Sequence, residues 1–351
     1  MTSEQRIEDW LDSTFFERGT FTVINNDQTL ILGKGGFYSE KKIPERDVYF
    51  YIKEFFGPKY SYYYPEDLLE VERKDAQAVL AQNLELQINF EETENFDDLF
   101  EEDFNILKNE LNDHFQKAVL ISSEKTGVKN TNDLKKKIMA KAIYSTVGLP
   151  YGIWDKDFAI IGSTPEILFK KELNKISTVA LAGTAKKGEE THLLCSQKDR
   201  KEHDLVITNI MEELGPFCTE VFKSETVIAP FSKMIHLKTP INGVLKPNSE
   251  INELVNSLSP TAALGGHPKE KSKDFLVSTK YFKKFPKRFF GSVFGLNYYE
   301  RHYALVMIRN IQIQQNEMII ETGAGIIQES KIINELNEIR LKRSTVKELL
   351  L

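Results

Sequence analysis

The chain of 351 residues has only two cysteines, Cys195 and Cys218. That count excludes a disulfide-stapled scaffold and predicts a reducing compartment, the cytoplasm. His192 and His203 could join the two thiols as a zinc set, but the spacing matches no common finger. Long apolar runs are also missing. No stretch approaches the roughly 20 residues a membrane helix needs. The first residues, MTSEQRIEDWLDSTFF, lack a basic segment followed by an apolar run, so no secretory leader is expected. Basic excess is absent too: 46 Lys and Arg face 52 Asp and Glu, a net charge of -6. This argues against a non-specific nucleic-acid binder, yet leaves room for a local basic pocket. GKGG at 33–36 lacks the Lys-Ser/Thr of a phosphate loop and reads as a turn. There is no internal repeat and no low-complexity tract.

What is present is enough apolar sequence, 41% of residues, for one large core or two ordinary ones. The pattern divides at about residue 105. Residues 1–105 read as a strand-rich half, with a hairpin over 20–32 broken at Asn25 to Asp27 and an aromatic-dense sheet over 48–64. The acidic 91–104 reads as an exposed connection. Over 106–351, helices are expected at 104–115, 131–143, 204–217, 251–258 and 331–350, and strands at 117–122, 158–162, 166–169 and 232–245. The segment SPTAALGGHPKE at 259–270 is a Pro/Gly-rich loop. Strands at 291–296, 303–309 and 318–322 are expected to share one sheet.

Chemistry gathers at 181–203, LAGTAKKGEETHLLCSQKDRKEH. An apolar run turns at Gly183 and passes a loop with Lys186, Lys187 and Gly188. It then enters a helix carrying Lys198, Asp199, Glu202 and His203. A loop with free N–H groups beside a helix with carboxylates suits an anion and a metal. In the last helix Glu335, Glu338 and Lys342 share a face, three and four residues apart. Either cluster alone is ordinarily a solvated surface. Here each follows an apolar strand and a glycine, and two glutamates from different helices can hold one magnesium.

These pieces resemble the chorismate-utilising enzymes, the group of isochorismate, salicylate, anthranilate and aminodeoxychorismate synthases. The matching strings are KAVLIS at Lys117, STPEIL at Ser163, LAGTAKKG at Leu181, SQKDRKEH at Ser196 and HLKTPINGVL at His236. SPTAALGG at Ser259, GSVFGL at Gly291, MIRN at Met307, and TGAGI with the ELNEIRLK helix complete the set. They come in the family's order over residues 110–345. The resemblance implies an α+β fold: one large mixed domain with extended antiparallel sheets and flanking helices, like anthranilate synthase component I.

By motif position, Lys117 is the base that activates water and Glu166 the acid that protonates a leaving hydroxyl. Burial would favour a neutral lysine and a protonated carboxyl. Glu202 and Glu338 match direct ligands of Mg2+, and Glu335 an outer one. Arg309 matches the arginine that grips a substrate carboxylate. Lys342 and the backbone at Gly323 and Gly325 are expected to complete an anion cradle at a helix entrance. Gly183, Thr184 and His236 match ring and enolpyruvyl contacts, although a hydrogen-bonded core histidine is an equally simple reading of His236.

A lysine at the base position fits water as nucleophile, where ammonia-using members carry glutamine. Ala182 departs from members with a nucleophilic lysine there. No amidotransferase segment is present, and no such subunit is expected. Isochorismate synthase is therefore the implied activity, with chorismate as substrate and menaquinone or siderophore supply as its use. Salicylate synthase and an inactive carboxylate-binding homologue are the alternatives.

Overall fold

A computed structural model describes residues 2–24, 27–43, 45–231 and 234–351. Asn25 and Asn26 of the expected hairpin, and Ser232 and Lys233 of the expected 232–245 strand, lie outside the described residues.

Strands with apolar residues on both faces have to be covered twice, and this chain does so with two ten-stranded sheets. Every described strand pairing is antiparallel. The first sheet has Lys117–Val128 and Glu317–Ile326 near one edge. It runs through Asn310–Gln314, Phe158–Thr164 and Leu149–Trp154 to Gly19–Ile24, Thr29–Lys34 and Asp67–Glu72. The second runs from Cys218–Lys223 through Met234–Leu245, Lys175–Lys186, Ile167–Glu172, Arg301–Val306 and Val293–Tyr298. It ends with Val48–Lys53, Tyr60–Tyr64 and Phe37–Ser39.

Alternation along each strand decides which residues meet between the sheets. Phe50 and Ile52 point inward against Tyr151, Ile153 and Ile160 of the first sheet. Their neighbours Tyr49 and Tyr51 point outward into a cluster with Val206 and Ile210 of the helix Gln197–Leu214. The outer face of the first sheet is covered by Thr131–Tyr144 and by part of the C-terminal helix Ile332–Leu350. The fold is thus the mixed α/β arrangement of extended antiparallel sheets and flanking helices expected above. Among the described residues no helix is long and apolar enough to cross a membrane.

Two expectations about the secondary-structure elements fail for identifiable reasons. Residues 91–104 are not a connection. Phe90–Asn95 is an exposed edge strand on Lys117–Val128, and the helix Asp97–Glu110 begins seven residues before the expected 104. Charged residues suit a sheet edge, where they discourage pairing with other chains. Asp97 and Asp98 suit a helix start, where the dipole favours negative charge. Phe115 lies beyond that helix but packs in the same cluster as Phe104 and Leu107.

The second failure concerns sheet membership. Val293–Tyr298 and Arg301–Val306 belong to one sheet and Glu317–Ile326 to the other. The chain changes sheet at Met307 to Arg309 and returns through Asn310–Gln314. The polar string NIQIQ hid that strand, because Asn310 and Gln312 are buried and face away from Ile311 and Ile313.

Candidate active site

A second change of sheet occurs between Phe158–Thr164 and Ile167–Glu172, at Pro165 and Glu166. The two crossings lie side by side. Ser163 N donates to Arg309 O at 3.2 Å, and Val306 N donates to Glu166 O at 3.1 Å. This antiparallel ribbon passes from one sheet into the other, and Arg309 takes a left-handed φ of 51° to make the bend. Glu166 and Arg309 therefore stand at the seam between the sheets, where side chains leave a cavity of about 180 Å³.

Gly183 is a bulge, not the expected turn. The strand Lys175–Lys186 runs straight through it, with Ala182 opposite Leu237 and Thr184 opposite His236. The extra residue has φ 74°, which glycine adopts without a Cβ penalty. A Cβ there would also approach Asp199 Cβ to 3.2 Å. The bulge sets Thr184 Oγ1 3.0 Å from His236 Nδ1. Burial, with Arg309 and Lys342 nearby, pulls His236 down to about 4. His236 is thus a buried, hydrogen-bonded histidine and a cavity wall at once.

Gly323 and Gly325 are strand residues, not a helix entrance. They pair with Ile121 and Val119, and the helix starts only at Ile332. Their role is close approach. A Cβ on Gly325 would come within 2.7 Å of Lys117 Cε and 3.3 Å of Glu202 Oε1. Lys117 reaches past Gly325 to Glu202, Nζ to Oε1 2.6 Å. Lys342 Nζ donates to the Gly323 carbonyl at 2.8 Å and pairs with Glu338 Oε1 at 2.7 Å.

Helix geometry places the remaining carboxylates. Glu335, Glu338 and Lys342 present one face of Ile332–Leu350 to the cavity. Asp199 and Glu202 do so from Gln197–Leu214, whose N-cap Ser196 accepts from Asp199 N at 3.3 Å. Eleven of the twelve expected site residues line the cavity; the twelfth, Lys117, reaches it through Glu202. Glu166 is 8% exposed. Burial raises its carboxyl from 4.5 to about 7, against the pull of Thr261, Lys117 and Lys342. Burial also draws Arg309 down to about 10.

Charge balance bears on a metal. Six carboxyl groups line the wall, on Glu166, Asp199, Glu202, Glu321, Glu335 and Glu338, against Arg309 and Lys342. A dicarboxylate entering this wall meets net repulsion unless a cation enters with it. Among the described residues no three His, Cys, Asp or Glu side chains converge as a ready-made metal cluster. Magnesium does not require one. It binds through one or two carboxylates, with waters and ligand oxygens filling the rest, and Glu202 with Glu338 fits that demand.

Sequence reasoning left out Glu321 and Phe290, which also line the cavity. Glu321 carried a signal: past the exposed first residue Glu317, it is the one acid inside the strand EMIIETGAGI. Its oxygens accept from Tyr281 Oη at 2.9 Å and Gln312 Nε2 at 2.7 Å.

The chain is 29% identical over 202 residues to "Isochorismate synthase MenF" of Bacillus subtilis (strain 168), covering 55% of this chain and 42% of that protein. It is 30% identical over 199 residues to "Isochorismate synthase EntC" of Escherichia coli (strain K12), covering 53% and 50%. The chain thus spans about half the length of the curated relatives it matches. Its fold superposes with a TM-score of 0.84 on MenF, the menaquinone-specific isochorismate synthase from Escherichia coli, at 17% identity, covering 98% of this chain and 91% of that one. The family model described as "Chorismate binding enzyme" matches residues 65–351. That span takes in both sheet crossings, the Gly183 bulge and the two carboxylate helices, so the chain belongs to the chorismate-binding enzyme family.

Proposed function

We propose that this protein is an isochorismate synthase, converting chorismate to isochorismate with magnesium. The observation that carries the reading is the buried Glu166 carboxyl, raised to about 7, in one cavity with Arg309 and Lys342. A carboxyl held near neutrality can give a proton at physiological pH. Chorismate carries two carboxylates and a hydroxyl on ring carbon 4. Arg309 grips one carboxylate as a planar fork, and Lys342 stands beside it in the same anion cradle. Lys117, entering the step with its amine unprotonated, takes a proton from water as the water oxygen bonds to carbon 2. Glu166 gives its proton to the departing hydroxyl, which leaves as water. One water is consumed and one released.

Glu202 and Glu338 would hold magnesium, which would supply neutralising charge for one substrate carboxylate. Within the chain, Nζ of Lys117 must first leave Glu202 Oε1 to reach water. Neutral His236, fixed by Thr184 Oγ1, offers a hydrogen bond without adding charge. The division at residue 105 is proposed in the same sense: 106–351 holds every proposed site residue, and 1–105 completes the sheets. Menaquinone supply is the proposed use.

Product analysis tests the activity. Chorismate with magnesium is expected to give isochorismate alone. Salicylate with pyruvate would assign a salicylate synthase, and unchanged chorismate an inactive binder. Glu338→Gln is expected to raise the magnesium concentration needed for half-maximal rate about tenfold or more, since one charge-bearing ligand is lost. An unaltered magnesium response in that variant sinks the metal assignment.

Gly325→Ala tests the crowding around Lys117. The added methyl is expected to push the Lys117–Glu202 pair aside and cost on the order of 100-fold in kcat, the scale of a 1 Å misplacement. Full activity in Gly325→Ala would show that the pair's position is unimportant.

A further inference from the structure

A second cavity, of about 570 Å³, adjoins the first along the chain. Phe290 lines the first, and Arg288 and Phe289 line the second. Its walls include Phe55, Phe56, Phe158 and Phe282. Arg288 is only 7% exposed, and its guanidinium lies 3.5 Å over the Phe55 ring. Nε donates to Phe290 O at 2.9 Å and Nη2 to Leu264 O at 3.1 Å. Among the described residues Nη1 donates to nothing, and no carboxylate forms a salt bridge with the guanidinium. Glu321 contributes only at a distance, because Tyr281 and Gln312 hold its oxygens.

A buried cation whose nearest carboxylate acts only at a distance is costly. The ring of Phe55 offsets part of that cost, and two carbonyls offset more. What the cavity lacks is the counter-charge. At its rim, exposed Lys59 and Lys287 are balanced by Glu40 and Glu54, so the buried guanidinium sets the sign of the interior.

We propose that this cavity is a second ligand site, for a small planar aromatic carboxylate. Its anion pairs with Arg288 and its ring lies among the phenylalanines. The same guanidinium holds the carbonyls of Leu264 and Phe290, whose residues line the main cavity. Occupancy therefore bears on chorismate binding, by a coupling that must be reciprocal.

The test is calorimetric titration of the full chain with 2-naphthoate and, as neutral control, 2-naphthamide. One saturable naphthoate site is expected, at least tenfold tighter than the amide. Ser61→Trp, which fills the cavity from the strand Tyr60–Tyr64 and leaves the Arg288 side chain unsubstituted, is expected to abolish binding. Arg288→Gln is expected to weaken it at least tenfold, and Lys342→Gln, in the main cavity, to change it less than twofold. The proposal is overturned if the amide binds as well as the acid, if Ser61→Trp binds unchanged, or if Lys342→Gln removes binding. These readouts need no chorismate chemistry. The coupling does rest on it: half-saturating naphthoate is expected to shift KM for chorismate at least twofold, and unchanged KM and kcat overturn the coupling.

Discussion

Lys117→Ala is expected to lower the turnover of chorismate by about 10²- to 10⁴-fold, the range of a positioned proton-transfer group. The side chain is 1% exposed and committed to Glu202 at 2.6 Å, so alanine removes both the proposed base and the partner of a carboxylate. Glu202 keeps 20% of its side chain in solvent. Its loss of partner therefore costs less than the about 3–5 kcal/mol of breaking a fully buried pair, and the variant should fold. A carboxylate freed from its lysine should also bind magnesium at least as tightly as before. Titration with magnesium alone thus separates lost chemistry from a lost site. Lys117→Arg sharpens the distinction, because guanidinium keeps the charge and cannot give up its proton. It should remain inactive while recovering stability. Undiminished turnover in Lys117→Ala would remove Lys117 from the base role.

What the sequence made legible was spacing within one element. Glu335, Glu338 and Lys342 share a helix face because three- and four-residue steps put them there, and they line the cavity together. Glu166 and Arg309 became candidates only through the strings STPEIL and MIRN. Nothing local marked those strings as places where the chain leaves one sheet for the other. That depends on Ser163 meeting Arg309 and Val306 meeting Glu166, well over a hundred residues apart.

Glycine was the least legible residue. Gly183 looked like a turn and is a bulge; Gly323 and Gly325 looked like a helix entrance and are mid-strand. In each case glycine answers a need for φ or for space that only the assembled neighbours define. The acidic 91–104 misled for a related reason. Asp97 is buried against Ser122 and Arg343 at 2.6 and 2.9 Å, and a partner 246 residues away leaves no trace in local composition. Ser122 is in turn met by a guanidinium from the last helix, Arg343 Nη2 at 2.8 Å.

Glu166→Gln is expected to cost a similar 10²- to 10⁴-fold in turnover and, more tellingly, to flatten two pH profiles, that of kcat and that of stability. With its carboxyl raised to about 7, the parent holds the proton needed for the leaving hydroxyl below that pH and loses it above. Its kcat should fall as pH rises through about 7. Glutamine cannot titrate, so the residual activity should lose that limb. Stability follows the same proton. Because the folded pKa lies above the ordinary 4.5, the favourable contribution is complete below 4.5, declines as pH rises, and is gone above about 7. At about 1.4 kcal/mol for each pH unit, the amount lost is on the order of 3 kcal/mol. Urea unfolding at pH 5 and pH 8 should therefore show the parent losing stability across that interval relative to Glu166→Gln. The charges of Lys117 and Lys342 hold the Glu166 value down, so the limb should move to higher pH in the residual activity of Lys117→Ala. A kcat profile flat from pH 6 to 8 in the parent, or a limb that survives in Glu166→Gln, would take the acid role away from Glu166.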